Sequence, residues 1–289
     1  MTSATHRPYR FSIQGGPFSD PVALCEHAQR IEELGFDELF AADHIGAPFS
    51  GGRGGGKYSV DPFTPLLIAA SATTHLRLGT LVLNNEFYNP ALLARTAASV
   101  DLLTGGRFVL GLGTGYAEAE HEAIGVPIRP PGVRVSRFGE SLAILRSLLY
   151  EGTIEHRGEH ELAARYADIF QFTGLTHGDG GIATGGGFAI ESVTERADWL
   201  AAGAGDRNDS IERSSLVQHV SIGPDAPSVD VLAEQFELPD DVIADTPFIL
   251  SGSMEQVVDK VGRLRDSVGI THYVVRDPEV FAPLVDALT

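Results

Sequence analysis

The sequence has one cysteine, Cys25, few positive charges, and no run of about 20 apolar residues. Each shortage excludes something. A lone cysteine cannot close an internal disulfide, which points to a reducing, cytoplasmic setting. Cys25 falls beside Leu24 and Ala28 in a predicted helix and reads as a buried structural thiol. Without a long apolar run, no transmembrane helix is expected. Residues 1–10 are polar, with no hydrophobic stretch before a small-residue cleavage site, so no secretory signal is expected. Lys and Arg number 21 against 39 Asp and Glu, a formal net charge of −18. Nucleic-acid binding needs clustered cations, so neither a nucleic acid nor an anionic membrane surface is an expected partner. The motifs of acyl transfer are missing too: there is no G-x-S-x-G elbow and no Cys–His pairing.

What is present is alternation. Hydrophobic residues make up 43% of 289, enough for a large core, and the length suits one α/β domain over residues 1–289. Residues 9–14 read as a strand. Ser19 or Asp20 then caps a helix with Pro21 at its first position, and Leu24, Ala28, Ile31 and Leu34 keep helical spacing as far as Gly35. The pattern continues with a strand at 36–42, a helix at 62–74, a strand at 77–83, a helix at 90–103 and a strand at 107–112. It resumes with a strand at 168–172, a helix at 191–202, a strand at 215–222, a helix at 254–267 and a strand at 271–276. Asp277 caps a closing helix. This order predicts parallel strands with right-handed crossovers, and a barrel rather than an open sheet, since no dinucleotide fingerprint marks a switch point. Seven strands are legible, not eight. Between Leu149 and Asp168 no apolar run supplies a fifth.

Several motifs carry chemistry in other settings. Residues 51–57, GGRGGGK, miss a phosphate-binding loop because Tyr58 stands where Ser or Thr must hold magnesium. They read as a loop over the barrel mouth. Residues 156–160, HRGEH, match a zinc order, but Gly158 weakens the helix that order needs, so no metal is expected. Gly111, Gly113 and Gly115 form GLGTG after a strand, where glycines permit close backbone approach by a ligand, with a purely steric role as the even alternative. Asp43-His44 follows the second strand, at the strand ends where barrel active sites lie. A histidine there can exchange a proton near neutral pH. Phe49, Tyr58, Phe87, Tyr88 and Tyr116 are aromatic candidates for the mouth, with packing against the rim as the equal alternative.

Together, FAADHI (40–45), RLGTLVLNN (77–85), the long stretch from Tyr88 through GLGTGY to Tyr116, ADIFQFTGLT (167–176) and PFILSGSMEQVVDKV (247–261) resemble the luciferase-like monooxygenase superfamily. The likeness is strongest to its actinobacterial branch that uses the deazaflavin coenzyme F420. It covers nearly the whole chain. The resemblance implies a (β/α)₈ barrel of the bacterial luciferase type, a homodimer, and a cofactor lying across the strand ends. It implies coenzyme F420, or FMN as the variant, with no metal. Asp43 and His44 would sit at the cofactor ring as the catalytic pair. Thr80, Leu81 and Val82 match a strand-three bulge behind the ring, often with a non-prolyl cis peptide. Gly113, Thr114, Gly115 and Tyr116 match the turn beside the cofactor's side chain.

Two departures follow. Deazaflavin sugar-phosphate dehydrogenases of this superfamily carry Glu where Tyr116 stands, which argues against the same substrate. The strand and glycine-rich turn that help hold the cofactor phosphate also have no counterpart, since Gly158 runs directly into the helical residues from Leu162. Three explanations stay open: a segment absent from the sequence, a barrel closed by another element or open at one side, or loss of cofactor binding. The leading expectation is an oxidoreductase or monooxygenase transferring hydride between the deazaflavin or flavin and a small, mainly apolar substrate. The alternatives are a redox-free lyase, isomerase or hydrolase, and a non-catalytic binding protein.

Overall fold

The computed structural model describes residues 8–45, 60–151, 166–177 and 183–288. The loop 51–57 with Phe49 and Tyr58, the stretch 156–160, and the expected helix from Leu162 lie outside the described residues.

In chain order the described elements are β1 (Arg10–Gln14), α1 (Pro21–Glu33), β2 (Glu38–Ala41), α2 (Phe63–Ala72), β3 (Arg77–Thr80), β4 (Leu83–Asn84), α3 (Pro90–Leu103), β5 (Phe108–Val109), β6 (Leu112–Gly113), α4 (Glu118–Ile124) and α5 (Pro131–Arg146). They continue with β7 (Ile169–Phe172), β8 (Thr176–His177), β9 (Ala183–Thr184), α6 (Ile190–Ala204), β10 (Glu212–Leu216), β11 (His219–Ile222), α7 (Val229–Phe236), α8 (Asp240–Asp245), β12 (Ile249–Gly252), α9 (Met254–Val268), β13 (Ile270–Val275) and α10 (Pro278–Leu288). The chain divides into two compact units: a terminal unit of Met1–Ile13, Leu34–Phe36 and Ala167–Thr289, and a central unit of Gln14–Glu33 and Asp37–Tyr166.

In the terminal unit β13 is the spine. It pairs in parallel with β1 on one side and β10 on the other, and β10 also pairs with β7. All six residues of β13 are buried, as a two-sided parallel strand requires. β11 pairs in parallel with β12, a strand that the sequence pattern did not reveal because Ser251 and Gly252 leave it only two apolar residues. The predicted strand 215–222 is two strands, broken at Val217-Gln218. Helix α9 starts at a capping box, with Ser253 and Gln256 satisfying each other's backbone N–H, and ends at Gly269 in the left-handed region. Asp277 caps α10 as expected, its Oδ1 accepting from the N–H of Glu279 and Val280.

In the central unit β2 pairs with β3 and β3 with β5, all in parallel. Asp20 caps α1, accepting from the N–H of Val22 and Ala23. Cys25 is half-buried, less enclosed than its helical neighbours Leu24 and Ala28, because it lies at the edge of the apolar stripe. The predicted strands 77–83 and 107–112 are each interrupted. Gly79 stands opposite Val109, and Leu83 opposite Leu112, so three residues of the first strand face two of the second. That extra residue is a β-bulge, and the Leu81–Val82 peptide within it is cis. The sequence pattern could not show the break, since Leu81, Val82 and Leu83 read as one apolar run.

Candidate functional site

The site grows from the bulge. Leu81 N–H donates to Ala41 O at 2.8 Å, and its carbonyl accepts from Gln14 Nε2 at 2.6 Å. Thr80 replaces the lost ladder with its side chain: Oγ1 accepts from Gly111 N–H at 3.0 Å and donates to Gly111 O at 2.8 Å. The glycines opposite are steric necessities. A Cβ on Gly111 would lie 1.9 Å from Thr80 O, on Gly113 2.7 Å from Val82 Cγ2, and on Gly115 2.2 Å from Asn84 Oδ1. GLGTG is therefore matched residue for residue to positions 80, 82 and 84. Gly115, at φ +77°, also turns the chain towards α4.

Asn84 then ties three segments together. Its backbone N–H donates to Asp43 Oδ2 at 3.0 Å, and its Oδ1 accepts from Glu86 N–H at 3.1 Å. Its Nδ2 lies 3.1 Å from His121 Nε2, and His121 Nδ1 lies 3.2 Å from Val126 O. A carbonyl only accepts, so His121 donates from Nδ1 and receives Asn84 at Nε2. The buried Glu86 carboxylate binds Arg129 Nη1 at 2.5 Å and Arg137 Nε at 3.1 Å, which fixes α5 to this loop. Arg134 Nη1 donates to Gly115 O.

On this frame stand the expected site residues. Asp43 and His44 follow β2 directly. Burial pushes the Asp43 carboxyl upward, and the Glu120 charge adds to this; the Asn84 N–H, a Tyr88 hydroxyl hydrogen bond and His44 oppose it. Burial, then the Asp43 charge, drives the Tyr88 hydroxyl far upward, so it stays a donor. His44 Nδ1 lies 2.8 Å from Glu120 Oε1, and the rings of His44 and Tyr116 meet edge to face at 6.4 Å and 79°. Burial and the Glu120 charge raise Tyr116 as well. Val82 is 39% exposed and Tyr116 38%, so each presents apolar surface to solvent, Tyr116 beside the half-exposed His44. Thr114 is half-buried in the turn between Gly113 and Gly115. Phe87 packs on His121 and Tyr88 on Phe63, which makes both part of the rim's packing.

Glu120, Asn84 and His121 were not legible as site residues. Residues 118–122, EAEHE, carry no motif of their own. A helical turn directly after GLGTG, at the strand ends, was the available signal. It buries Glu120 and His121 and leaves Glu122 exposed. Among the described residues no group of three or more His, Cys, Asp or Glu is placed to hold a metal, and no helix is long and apolar enough to cross a membrane.

Known proteins are similar to this chain. An F420-dependent glucose-6-phosphate dehydrogenase of Intrasporangium calvum is 33% identical over 143 residues, 48% of this chain and 42% of that protein. The enzyme of the same name from Segniliparus rotundus is 30% identical over 220 residues, 67% of this chain and 64% of its own length. The chain thus aligns with less than two thirds of either relative. A solved F420-dependent secondary alcohol dehydrogenase, in complex with an F420–acetone adduct, superposes with a TM-score of 0.72 at 16% identity, covering 98% of this chain and 100% of that one. That likeness establishes the luciferase-like α/β barrel fold for this chain. The family model for luciferase-like monooxygenases matches residues 2–236, and the chain belongs to the luciferase-like monooxygenase family.

Proposed function

We propose that the protein is an oxidoreductase transferring hydride between coenzyme F420 and a small, mainly apolar organic substrate, with FMN as the variant cofactor. The observation that carries this reading is the bulge at Thr80, Leu81 and Val82, which leaves the apolar Val82 side chain exposed in the unit where His44 and Tyr116 meet edge to face. The residues present fit a flat heterocycle: Val82 offers apolar surface, and His44 and Tyr116 offer polar hydrogens at its edge. Thr80, Leu81 and Val82 would back the ring, and Gly113, Thr114, Gly115 and Tyr116 would line its side chain. When bound, the cofactor supplies the site for hydride gain and loss.

His44 supplies or takes up the proton that accompanies hydride transfer. Asp43, held by Asn84 and Tyr88, fixes the backbone from which His44 projects. Tyr116, whose hydroxyl stays protonated, donates a hydrogen bond and shields the ring from water on one side. In this reading the chain works as a single barrel domain and a homodimer in the cytoplasm, on a small molecule rather than a nucleic acid or membrane. The family, the single cysteine and the charge of −18 support it.

Fluorescence titration of the purified protein with F420, and separately with FMN, tests the proposal. Saturable micromolar or tighter binding of one identifies the cofactor. No binding of either by a folded protein sinks the redox reading and favours a redox-free enzyme or a binding protein. In the cofactor-loaded enzyme, His44→Ala should cut turnover about 100-fold or more with the fold intact; unchanged turnover removes His44 from the mechanism.

A further inference from the structure

Glu120 is a carboxylate in an expensive place. It is 2% exposed, and a buried charge persists only where a partner faces it. Its Oε1 faces His44 Nδ1 at 2.8 Å, a contact that joins residues 76 apart in the chain. The carboxylate is held by the first turn of α4, where Glu120 N–H donates to Ala117 O at 3.0 Å. The next residue, His121, is pinned to Asn84 from the other side. Neither the helix turn nor the ring is left to swing, and Tyr116 closes on the edge of the same imidazole.

The chemistry of the two groups decides the direction of this bond. An ionised carboxylate has no hydrogen to give, so Nδ1 donates. A neutral imidazole carries one N–H, so Nδ1–H leaves the lone pair on Nε2. In the imidazolium form Nδ1–H stays on Glu120, and the second proton is the one on Nε2. The proton that enters and leaves the ring therefore does so at Nε2 in both directions.

We propose that Glu120 is a positioning residue that locks His44 in the Nδ1–H form, so that Nε2 alone exchanges protons with substrate, and that it faces the positive charge the ring then gains. This rests on the reading of His44 as the proton-transfer residue. Its first prediction, the tautomer itself, needs neither cofactor nor turnover.

The test is a long-range ¹H–¹⁵N spectrum of the imidazoles in the full-length ¹⁵N-labelled protein without added cofactor, with His44 assigned by its loss in His44→Gln. The expected result is Nδ1–H and a lone pair on Nε2 in the parent protein at alkaline pH. Glu120→Gln, whose amide can accept or donate, should raise the Nε2–H fraction to about half or more. A parent protein with its hydrogen on Nε2 overturns the proposal, whatever the variant does. So does an unchanged tautomer in a folded Glu120→Gln. Should that variant fail to fold, Glu120→Asp keeps the charge but shortens the reach, and a weakened Nδ1–H preference is expected there; full retention would count against a direct role.

In the F420-loaded enzyme, Glu120→Gln should lower kcat about 10- to 100-fold, with F420 affinity and KM within about threefold. A loss confined to KM would instead assign Glu120 to substrate binding and overturn the positioning role. Because the tautomer is read without cofactor, failure of F420 to bind strikes the redox reading and leaves the tautomer result standing.

Discussion

The two units each hold a histidine against a carboxylate, and the contrast between them separates a site from a scaffold. In the terminal unit, His272 on β13 is 1% exposed. Its Nε2 lies 2.8 Å from Ser12 Oγ, its Nδ1 lies 3.9 Å from Glu212, and Glu212 binds Arg10 at 2.6 Å. The residue types suggest a Ser–His–Glu triad, yet Ser12 is fully buried and in the middle of a parallel strand. No substrate can meet that hydroxyl. In the central unit the arrangement is reversed: the carboxylate Glu120 is buried, while His44, with a 32% exposed side chain, opens to solvent at the strand ends. The same pair of groups is closed to substrate where both members are enclosed and open to solvent where only the carboxylate is.

The backbone follows the same division. The terminal unit's spine strand is six continuous buried residues, whereas the central unit's corresponding strand carries a bulge answered by three glycines. The largest expected effect comes from that match. Gly111→Ala places a methyl 1.9 Å from Thr80 O, against backbone that cannot rotate away, and should cost about 3 kcal/mol or more and abolish cofactor binding. Gly262→Ala, in α9 of the terminal unit with nothing within 4 Å of the added carbon, should raise stability by up to about 1 kcal/mol. Chemical denaturation of both variants checks the pair. Equal behaviour would deny that the glycines at 111–115 are set by close packing.

The two histidines come next. His272→Ala should lower stability by about 2–4 kcal/mol, since it empties a buried position and removes a hydrogen bond of the buried Ser12, while leaving F420 affinity unchanged. His44→Ala should also lower stability, by about 1–3 kcal/mol, since the buried Glu120 carboxylate then faces no imidazole, but its distinguishing loss falls on turnover. Urea unfolding measured beside cofactor titration separates these outcomes, and a swap of the two profiles would reverse the assignment of site and scaffold.

A pH-dependent effect involves a buried cation of the terminal unit. Lys260 donates to the carbonyls of Ile243 and Ile249, at 3.1 and 2.9 Å, and burial lowers its pKa from 10.5 to about 8. Between those values the unfolded chain binds more protons than the folded one, so stability should rise with pH across about 8 to 10.5. The rise attributable to this group is up to about 3 kcal/mol, reduced by whatever else titrates there. Lys260→Met should flatten that part of the curve. A profile unchanged by the substitution would mean that the amine is not held in a desolvated state.

Much of the fold was readable. Asp20 and Asp277 as caps, Pro21 and Pro90 as helix openers, and the apolar strand cores announced their elements because caps and periodicity act over a few residues. Asp43 and His44 were legible because they follow an apolar strand, and GLGTG because glycines are unmistakable. The partners of those residues were not. Nothing in residues 118–122 distinguishes Glu120 from Glu118 or Glu122 until α4 turns one of them inward. Strand β12 escaped notice for a related reason: its stability comes from β11, 27 or more residues earlier in the chain, rather than from its own composition.

The sequence by itself determined the α/β rhythm, the family, the histidine at the strand end and the glycines beside it, since each is written in local spacing or residue type. The tertiary structure decided how those parts meet. It placed the bulge where two registers disagree by one residue, matched each glycine of GLGTG to the strand it faces, and paired His44 with a glutamate 76 positions away. It also enclosed His272 and left His44 open. Burial and long-range hydrogen bonds depend on which segments meet in space, and local sequence carries no record of that meeting.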